Sequence, residues 1–459
     1  MYIIILLDLI LGGLMKKIDL TEGKVIKVLA TLSIPIMGSS LLQFMYNLID
    51  MIWVGGLGSN AVVSIGSSSF FIGLGYSINS IVVIGAGIKV AHSIGAKKDI
   101  DVKRYINAGL ILNGVIGLIY TFIIIVLGKE FIAFLNIDNI NVVKDSYLYL
   151  LISAPMLFFS FFNTLYIRIL NSFGNNKISL KISAIGIIIN ILLDPIFIYT
   201  FKFGVLGAGI ATLISNLVMF ILFNIYSKEM IKFNHGEVIE YKKIIEIIKL
   251  GFPMAVQRII FTLVNIVLAK IISVFGDNAI AAQKIGLQIE GITYMVIGGL
   301  NGAIASFTGQ NFGANKFKRV NEGYITAIKI GAIYSILTTF IFILFSVNLV
   351  KIFIDDSETI FMASGYLKII GIAQFFSMIE MVSNGIFTGI GKPNIPSIIS
   401  IVFTCMRIPM ALILIRYIGL NGIWLSIAFS SIFKGIVSFL IYRFRIYKSY
   451  ESLSNEYLN

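Results

Sequence analysis

Twelve apolar segments of membrane-spanning length limit the fold of this chain more than any other feature. A hydrophobic stretch of about 20 residues is long enough to cross a bilayer as an α-helix. The segments lie near residues 28–54, 61–90, 105–128, 146–170, 178–201, 204–227, 247–273, 279–308, 324–350, 363–390, 395–417 and 420–443. Of the 459 residues, 58% are apolar and 13% charged, against about 45–50% and 25% in soluble domains. We predict an all-α integral membrane protein with twelve transmembrane helices.

The connectors between these segments are alternately rich and poor in basic residues. One set, together with both termini, contains Lys16, Lys17, Lys97, Lys98, Lys103, Arg104, Lys177, Lys181, Lys228, Lys232, Lys242, Lys243, Lys316, Lys318, Arg319, Lys392, Arg443 and Arg445. Cytoplasmic loops of membrane proteins have such an excess of Lys and Arg. We therefore expect a multi-pass protein of the cell membrane with both termini in the cytoplasm. The net charge of +13 then reflects orientation and lipid contact, and implies no nucleic-acid partner.

The residues that most enzymes and metal proteins need are scarce in this sequence. Cys405 is the single cysteine, and His92 and His235 are the two histidines, which leaves no disulfide and no His/Cys metal site. There is no phosphate-binding loop or dinucleotide fingerprint, and no filter-like loop between short half-helices of the channel type. These observations favour a transporter without an organic cofactor. A membrane-embedded transferase is the alternative from a different class, although no reactive cluster supports it.

The two halves of the sequence match each other at a shift of 218 residues. Pro35 falls on Pro253, Asn47 on Asn265, Gly58 on Gly276, and Gly174 on Gly391 at a slightly different shift. Each half has six segments, so both enter the membrane in the same direction, as in parallel-repeat transporters. We predict two six-helix lobes around a central cavity that opens to either side by alternating access.

The repeat and the polar connectors predict the domain boundaries. Residues 1–27 form an amino-terminal cytoplasmic or interfacial segment, 28–227 the first lobe, 228–246 a cytoplasmic linker, 247–443 the second lobe, and 444–459 a cytoplasmic tail. Met15 is a candidate for the natural start, with an interfacial anchor in residues 1–14 as the alternative. We expect a monomer.

Two acidic residues in the first half lie at membrane depth, where ionisable groups are functional candidates by default. Asn47 and Tyr46 precede Asp50 by three and four residues, which places them on one helix face. Asn190 likewise precedes Asp194 by one turn. The matching positions of the second half are Leu268 and Ile408, so the repeated fold does not require acids there. Local stabilisation near the outer interface is the alternative role for both acids.

A carboxyl group that is desolvated in an apolar cavity exchanges protons closer to neutral pH than one in water. Such a group can hold a proton or an organic cation, and competition between the two is a minimal antiport mechanism. The coupling ion is therefore H⁺, with Na⁺ as the alternative at Asp50, Asp194 and Asn190.

The second half contains a different set of ionisable residues inside its apolar segments. Mixed signs at similar depth predict ion pairs between helices, with Lys270 or Lys284 as the partner of Glu290. Glu380 is a candidate for a further ion or substrate site. The candidate substrate-binding residues of the whole chain are Tyr46, Asn163, Asn171, Gln283, Glu290 and Glu380.

Four sequence motifs, in order, resemble those of the multidrug and toxic compound extrusion (MATE) transporters. They are Asp19-Leu20-Thr21-Glu22-Gly23, Asn47-Leu48-Ile49-Asp50-Met51-Ile52-Trp53-Val54, Asn190-Ile191-Leu192-Leu193-Asp194-Pro195 and Gly309-Gln310-Asn311-Phe312-Gly313-Ala314. The resemblance extends from residue 19 to about residue 445. It is nearest to the bacterial damage-inducible and archaeal branches.

This resemblance implies a twelve-helix exporter of small organic cations and drugs, driven by a proton or sodium gradient. It also implies that Asp50, Asp194 and Asn190 form the coupling site. Two features depart from the family pattern: Asn171 stands where an arginine is usual, and residues 254–273 contain no acid. The closest alternative function is a flippase for lipid-linked oligosaccharides or peptidoglycan precursors.

Overall fold

The computed structural model describes residues 19–231 and 240–448, and these residues form helices and turns without a β-strand. The helices are α1 (Val25–Gly55), α2 (Ser59–Gly95), α3 (Asp99–Ala133), α4 (Ile140–Ser172), α5 (Asn176–Pro195) with a π-helical turn (Ile196–Thr200), α6 (Gly204–Tyr226), α7 (Tyr241–Ile272), α8 (Asp277–Gly313), α9 (Phe317–Leu344), α10 (Ser346–Lys351), α11 (Ser357–Gly389), α12 (Asn394–Cys405), α13 (Arg407–Ile418) and α14 (Leu420–Ile441). The all-α membrane fold predicted from the sequence is confirmed. The predictions for residues 1–14, Met15 and the end of the tail lie outside the described residues.

Each of the twelve predicted segments overlaps a described helix, and two of them overlap a pair, α9 with α10 and α12 with α13. Among the described residues, eleven helical segments are long and apolar enough to cross a membrane. The eighth predicted segment is the exception, although α8 has 37 residues. Lys284, Glu290 and several small polar residues lower its hydropathy. A helix with ionisable groups inside it needs partners within the bundle, and α8 has such partners.

The described residues divide into two compact units that do not follow the chain order strictly. The first unit is Gly38–Ala255, and the second is Leu20–Met37 together with residues 256–448. Helices α1 and α7 each contribute one part to each unit. Pro35 and Pro253 lie within three residues of the two change-over points, and proline removes a helical hydrogen bond at both places. The predicted division at residues 228–246 remains a prediction.

The internal repeat is visible in the backbone as well as in the sequence. Left-handed φ angles recur at equivalent turns: 99° at Gly58 and 93° at Gly276, and 76° at both Gly174 and Gly391. A left-handed φ is readily adopted only by glycine. Recurrence of these angles at the shifts read from the sequence shows that the turns of the two halves have the same geometry.

Within the first unit, α2 and α7 approach each other closely through two glycines. A Cβ at Gly85 would overlap the backbone of Ile247, and a Cβ at Gly251 would overlap the backbone of Ile81. Small residues that let backbones approach are typical of membrane helix interfaces. The start of α7 is also tied to this unit by ion pairs, with Lys89 Nζ 2.7 Å from Glu246 Oε2 and Lys243 Nζ 2.7 Å from Asp101 Oδ1.

Within the second unit, the chain just before α1 is fastened to the junction of α8 and α9. The Leu20 N–H donates to Gln310 Oε1 at 3.1 Å, and Asn311 Nδ2 donates to the Leu20 carbonyl at 3.1 Å. Lys316 Nζ donates to the Thr21 carbonyl at 3.0 Å. The Gly309–Ala314 motif therefore has a packing role that its sequence alone did not reveal.

Candidate functional site

The first unit contains a cavity of about 520 Å³ between α1, α2, α4, α5 and α6. This volume lies within the range of small-molecule sites, about 300–1,000 Å³. Its polar walls are formed by Gln43, Tyr46, Asn47, Asp50, Ser69, Tyr76, Tyr149, Ser160, Asn163, Thr164, Ser183, Asn190, Thr212, Ser215 and Asn216. Met156 and Met219 are among its apolar contacts, and methionine side chains adapt to irregular ligand shapes. The cavity is rich in hydrogen-bonding groups and aromatic rings, and Asp50 is the one acid in its lining.

Asp50 is half-buried on α1 and lines the cavity. Its Oδ1 atom is buried and accepts no hydrogen bond from the described residues. Its charge interacts with Asp194 on α5 and with Tyr46 and Tyr149. A buried carboxylate oxygen without a donor is costly, so this atom is a natural position for a proton or a cation.

Asp194 does not line the cavity itself but contacts Asn190, which does. Asp194 is 0% exposed and Asn190 1% exposed, and only Asn190 lines the cavity. With its amide oriented to satisfy both neighbours, Asn190 donates to Asp194 Oδ2 at 3.0 Å and accepts from the Thr212 N–H at 3.2 Å. The predicted grouping of Asp50, Asp194 and Asn190 is therefore present in one unit.

The backbone of α5 departs from regular helix directly after Asp194. Pro195 has no N–H to donate to the carbonyl of Ile191. The chain then continues as a π-helical turn, in which the Phe201 N–H bonds to the Ile196 carbonyl at 2.9 Å. π turns are rare and are frequent at functional sites. Sequence reasoning identified the proline but not the turn.

The other candidates of the first unit differ in their relation to the cavity. Tyr46 and Asn47 line it, and the Tyr46 hydroxyl lies 3.4 Å from Thr212 Oγ1. Asn163 also lines it, donating to the Asn216 carbonyl at 3.0 Å while its own Oδ1 has no described partner. Asn171 is buried two turns further along α4 and does not line the cavity.

The candidates of the second unit have partners of their own. Glu290 is buried on α8 and accepts from the Tyr366 hydroxyl at 2.7 Å and from Gln374 Nε2 at 3.4 Å. Gln283 is half-buried on the same helix. Glu380 lies 3.9 Å from Lys434 Nζ. Each of the two carboxylates therefore has a donor or a counter-ion at hand.

The predicted pairing of Glu290 with Lys270 or Lys284 is wrong among the described residues. Both lysines are exposed on their helices, whereas the Glu290 side chain is enclosed. The partners of Glu290 are instead the Tyr366 and Gln374 donors from α11, the Tyr294 side chain one turn along α8, and the charge of Arg407. Spacing along one helix could indicate only Tyr294, because the other partners come from distant parts of the chain.

Several cavity residues were not identified from the sequence. Thr212 and Asn216 lie four residues apart on α6, which puts them on one face, and Tyr149 and Tyr76 complete the wall. The spacing on α6 was the available signal. Over the parts of the chain that the structure describes, no group of three His, Cys, Asp or Glu residues could hold a metal ion.

The fold and the site define a class: a polytopic helical membrane protein with an internal repeat and a polar cavity in one repeat. The MatE family profile matches the chain twice, over residues 35–196 and 253–413. The chain therefore belongs to the MatE family. The two matched regions begin 218 residues apart, which is the shift of the repeat.

Individual relatives and solved structures agree with this membership. The chain is 26% identical over 448 residues to the probable multidrug resistance protein YpnP of Bacillus subtilis, covering 95% of this chain and 98% of that protein. It is also 26% identical over 431 residues to the probable multidrug resistance protein NorM of Thermotoga maritima, covering 91% and 92%.

The solved structures show the shared fold. An outward-facing multidrug resistance MATE family transporter of the MOP superfamily superposes with a TM-score of 0.89 at 24% identity, covering 95% of this chain and 99% of that one. A MOP superfamily transporter from Pyrococcus furiosus, described by the reverse polarity of its binding pocket, superposes with a TM-score of 0.87 at 24% identity, covering 95% and 99%.

Proposed function

We propose that this protein is a secondary active exporter of small organic cations and drugs, in exchange for H⁺ or Na⁺. Membership in the MatE family and the names of its relatives support multidrug efflux. The coupled exchange is inferred from the site in the first unit. The expected location is the cell membrane, with both termini in the cytoplasm.

The unpartnered carboxylate oxygen of Asp50 is the observation on which this proposal depends. It is buried in a cavity that also presents the rings of Tyr46, Tyr76 and Tyr149. Aromatic faces attract organic cations, and an ionised carboxylate supplies the compensating charge. Proton or sodium binding at the same carboxylate would remove that charge, so the two ligands exclude each other.

Asn190 and Thr212 support this exchange by fixing the second carboxylate. The Asn190 side-chain amide donates a hydrogen bond to Asp194 and accepts one from the Thr212 backbone N–H on α6. Two interacting carboxylates titrate as a pair, so a proton taken by one changes the charge felt by the other. Carboxylate and amide oxygens are also hard donors, which keeps Na⁺ open as the coupling ion.

We infer a packing role for two acids of the second unit, the buried Glu290 and the partly buried Glu380. Glu290 is enclosed by donors from α11, and Glu380 has Lys434 as a counter-ion. Buried charges that are hydrogen-bonded or paired are tolerated in a protein interior. We infer a packing role for Asn171 as well, since it is buried and lies outside the cavity. Gln283 remains a candidate for contact with substrate.

The flippase alternative is less well supported by this cavity. A lipid-linked pyrophosphate headgroup requires basic groups, whereas the cavity lining contains an acid and no Lys or Arg. The transferase alternative would need a reactive cluster, and the cavity offers amides, hydroxyls and one carboxylate.

Efflux of ethidium from a drug-sensitive host tests the proposal. We expect cells with the wild-type protein to extrude ethidium, and to lose this ability when the proton and sodium gradients are collapsed. The Asp50→Asn and Asp194→Asn variants should each reduce efflux at least tenfold while membrane insertion is unchanged. Full efflux by both variants would contradict the proposal.

A further inference from the structure

Tyr199 fastens the carboxyl-terminal end of α1 to the π turn that follows α5. Its hydroxyl donates a hydrogen bond to the backbone carbonyl of Trp53. The two rings meet edge to face, with centroids 6.1 Å apart and planes at 68°. Trp53 lies one turn after Asp50, and Tyr199 lies five residues after Asp194. The contact therefore joins the two chain segments that present the two acids.

The local backbone leaves the Trp53 carbonyl free for this bond. The last turn of α1 tightens, because the Leu57 N–H bonds to the carbonyl of Val54 instead of that of Trp53. Orphan carbonyls at a helix end need a donor. A Cβ at Gly56 would overlap the Tyr199 hydroxyl, so the glycine provides the space for it.

The π turn explains how Tyr199 reaches α1. In a regular α-helix, a residue five positions after Asp194 would point about 140° away from it, at 3.6 residues per turn. A π-helical turn closes its hydrogen bonds between residues i and i+5, as the Phe201 to Ile196 bond does here. Because each residue of the wider π turn rotates less about the helix axis, Tyr199 lies closer to the helix face of Asp194 than it would in a regular α-helix.

The internal repeat provides a control for this contact. Its three participants, Trp53, Gly56 and Tyr199, correspond to Ile271, Val274 and Ile413 in the second half. None of these residues offers a side-chain hydroxyl or the space of a glycine. The second half also lacks both acids, with Leu268 and Ile408 in their places. The contact and the acids are present together in one half and absent together from the other.

We propose that Tyr199 is a positioning residue for the acid pair. Its bond to Trp53 fixes the end of α1 against α5, and so holds Asp50 at its place opposite Asp194 and Asn190. This inference rests on the proposed function, because it assigns Tyr199 a role in cation binding at Asp50. Loss of the hydroxyl would let the end of α1 shift and would weaken cation binding without unfolding the unit.

Fluorescence of Trp53 provides a direct test, because Trp53 and Trp424 are the only tryptophans of the chain. In a Trp424→Phe background, Trp53 alone reports on its surroundings. Tetraphenylphosphonium is titrated into the purified full-length protein, and the dissociation constant and the melting temperature are measured. The variants added to this background are Tyr199→Phe, Gly56→Ala and Asp50→Asn. Tyr417→Phe is the matched control, since Tyr417 is 80% exposed near the end of α13.

We expect Tyr199→Phe and Gly56→Ala to shift the Trp53 emission and to weaken binding about two- to tenfold, as for loss of one hydrogen bond. The Tyr199→Phe variant should keep the melting temperature of the background protein, and Tyr417→Phe should match it in every measurement. Unchanged affinity in Tyr199→Phe, with or without a lower melting temperature, would overturn the positioning role alone. Binding that does not depend on Asp50 would overturn the proposed function as well.

Discussion

Asn163 and Asn171 lie two turns apart on α4, and only Asn163 lines the cavity. The Oδ1 atoms of both side chains are buried without a described partner, so what separates the two residues is their position relative to the cavity. Similar residues on one helix can therefore have different roles.

We predict that Asn163→Ala weakens tetraphenylphosphonium binding about three- to tenfold, because one hydrogen-bonding group of the cavity is lost. Asn171→Ala should leave the affinity unchanged, since this side chain does not reach the cavity. Isothermal titration of the two purified variants compares them directly. Equal losses in both would argue against the cavity as the binding site.

At the scale of single residues, the acids and their near neighbours could be predicted from the sequence. Asp50, Asn190 and Asp194 were identifiable because charged residues in apolar helices are rare and because residues one turn apart share a face. The surroundings of Glu290 were predictable only in part. Tyr294, which hydrogen-bonds to Glu290, lies one turn away on α8, whereas the donors Tyr366 and Gln374 lie more than 70 positions away in sequence and no spacing rule connects them.

At the scale of helices, the close contact of α2 with α7 depends on the absence of a side chain at Gly85. A methyl group there would overlap the backbone of Ile247. A backbone cannot yield as a flexible side chain can, so the helices would have to separate.

We predict that Gly85→Ala lowers the free energy of unfolding by about 1–3 kcal/mol, the usual cost of overpacking. The matched control is Gly66→Ala on the same helix, where nothing lies within 4 Å of the added Cβ. Thermal unfolding in detergent should show a lower melting temperature for Gly85→Ala alone. Helix propensity favours alanine over glycine, so Gly66→Ala should lose no stability. A loss of similar size in Gly66→Ala would contradict the packing explanation.

Helix positions were predicted well because a membrane helix needs a long apolar stretch that is visible in any hydropathy window. Departures from regular helix were not predicted from the sequence. The π turn after Pro195 and the interruption between Cys405 and Arg407 depend on which backbone groups find partners in neighbouring helices. The sequence also did not predict that α1 and α7 are each divided between the two units, since this division depends on contacts and not on hydropathy.

At the scale of the whole molecule, two halves with the same turn geometry differ in the polarity of their interiors. The first unit has an acid-lined cavity and the contact between Tyr199 and Trp53, and the second unit encloses its acids among donors. The repeat was predictable from glycine and proline positions. From this difference we propose that organic cations bind at Asp50 in the first unit.

The most direct test is the affinity of the purified protein for tetraphenylphosphonium as a function of pH. The groups that interact with Asp50 are Asp194 on α5, Tyr46 on α1 and Tyr149 on α4. Protonation of the acids removes the negative charge, so wild-type affinity should fall as the pH is lowered. The Glu290→Gln variant should behave like wild type, and Asp50→Asn should bind weakly at every pH. An Asp50→Asn variant with wild-type affinity and pH dependence would contradict cation binding at Asp50.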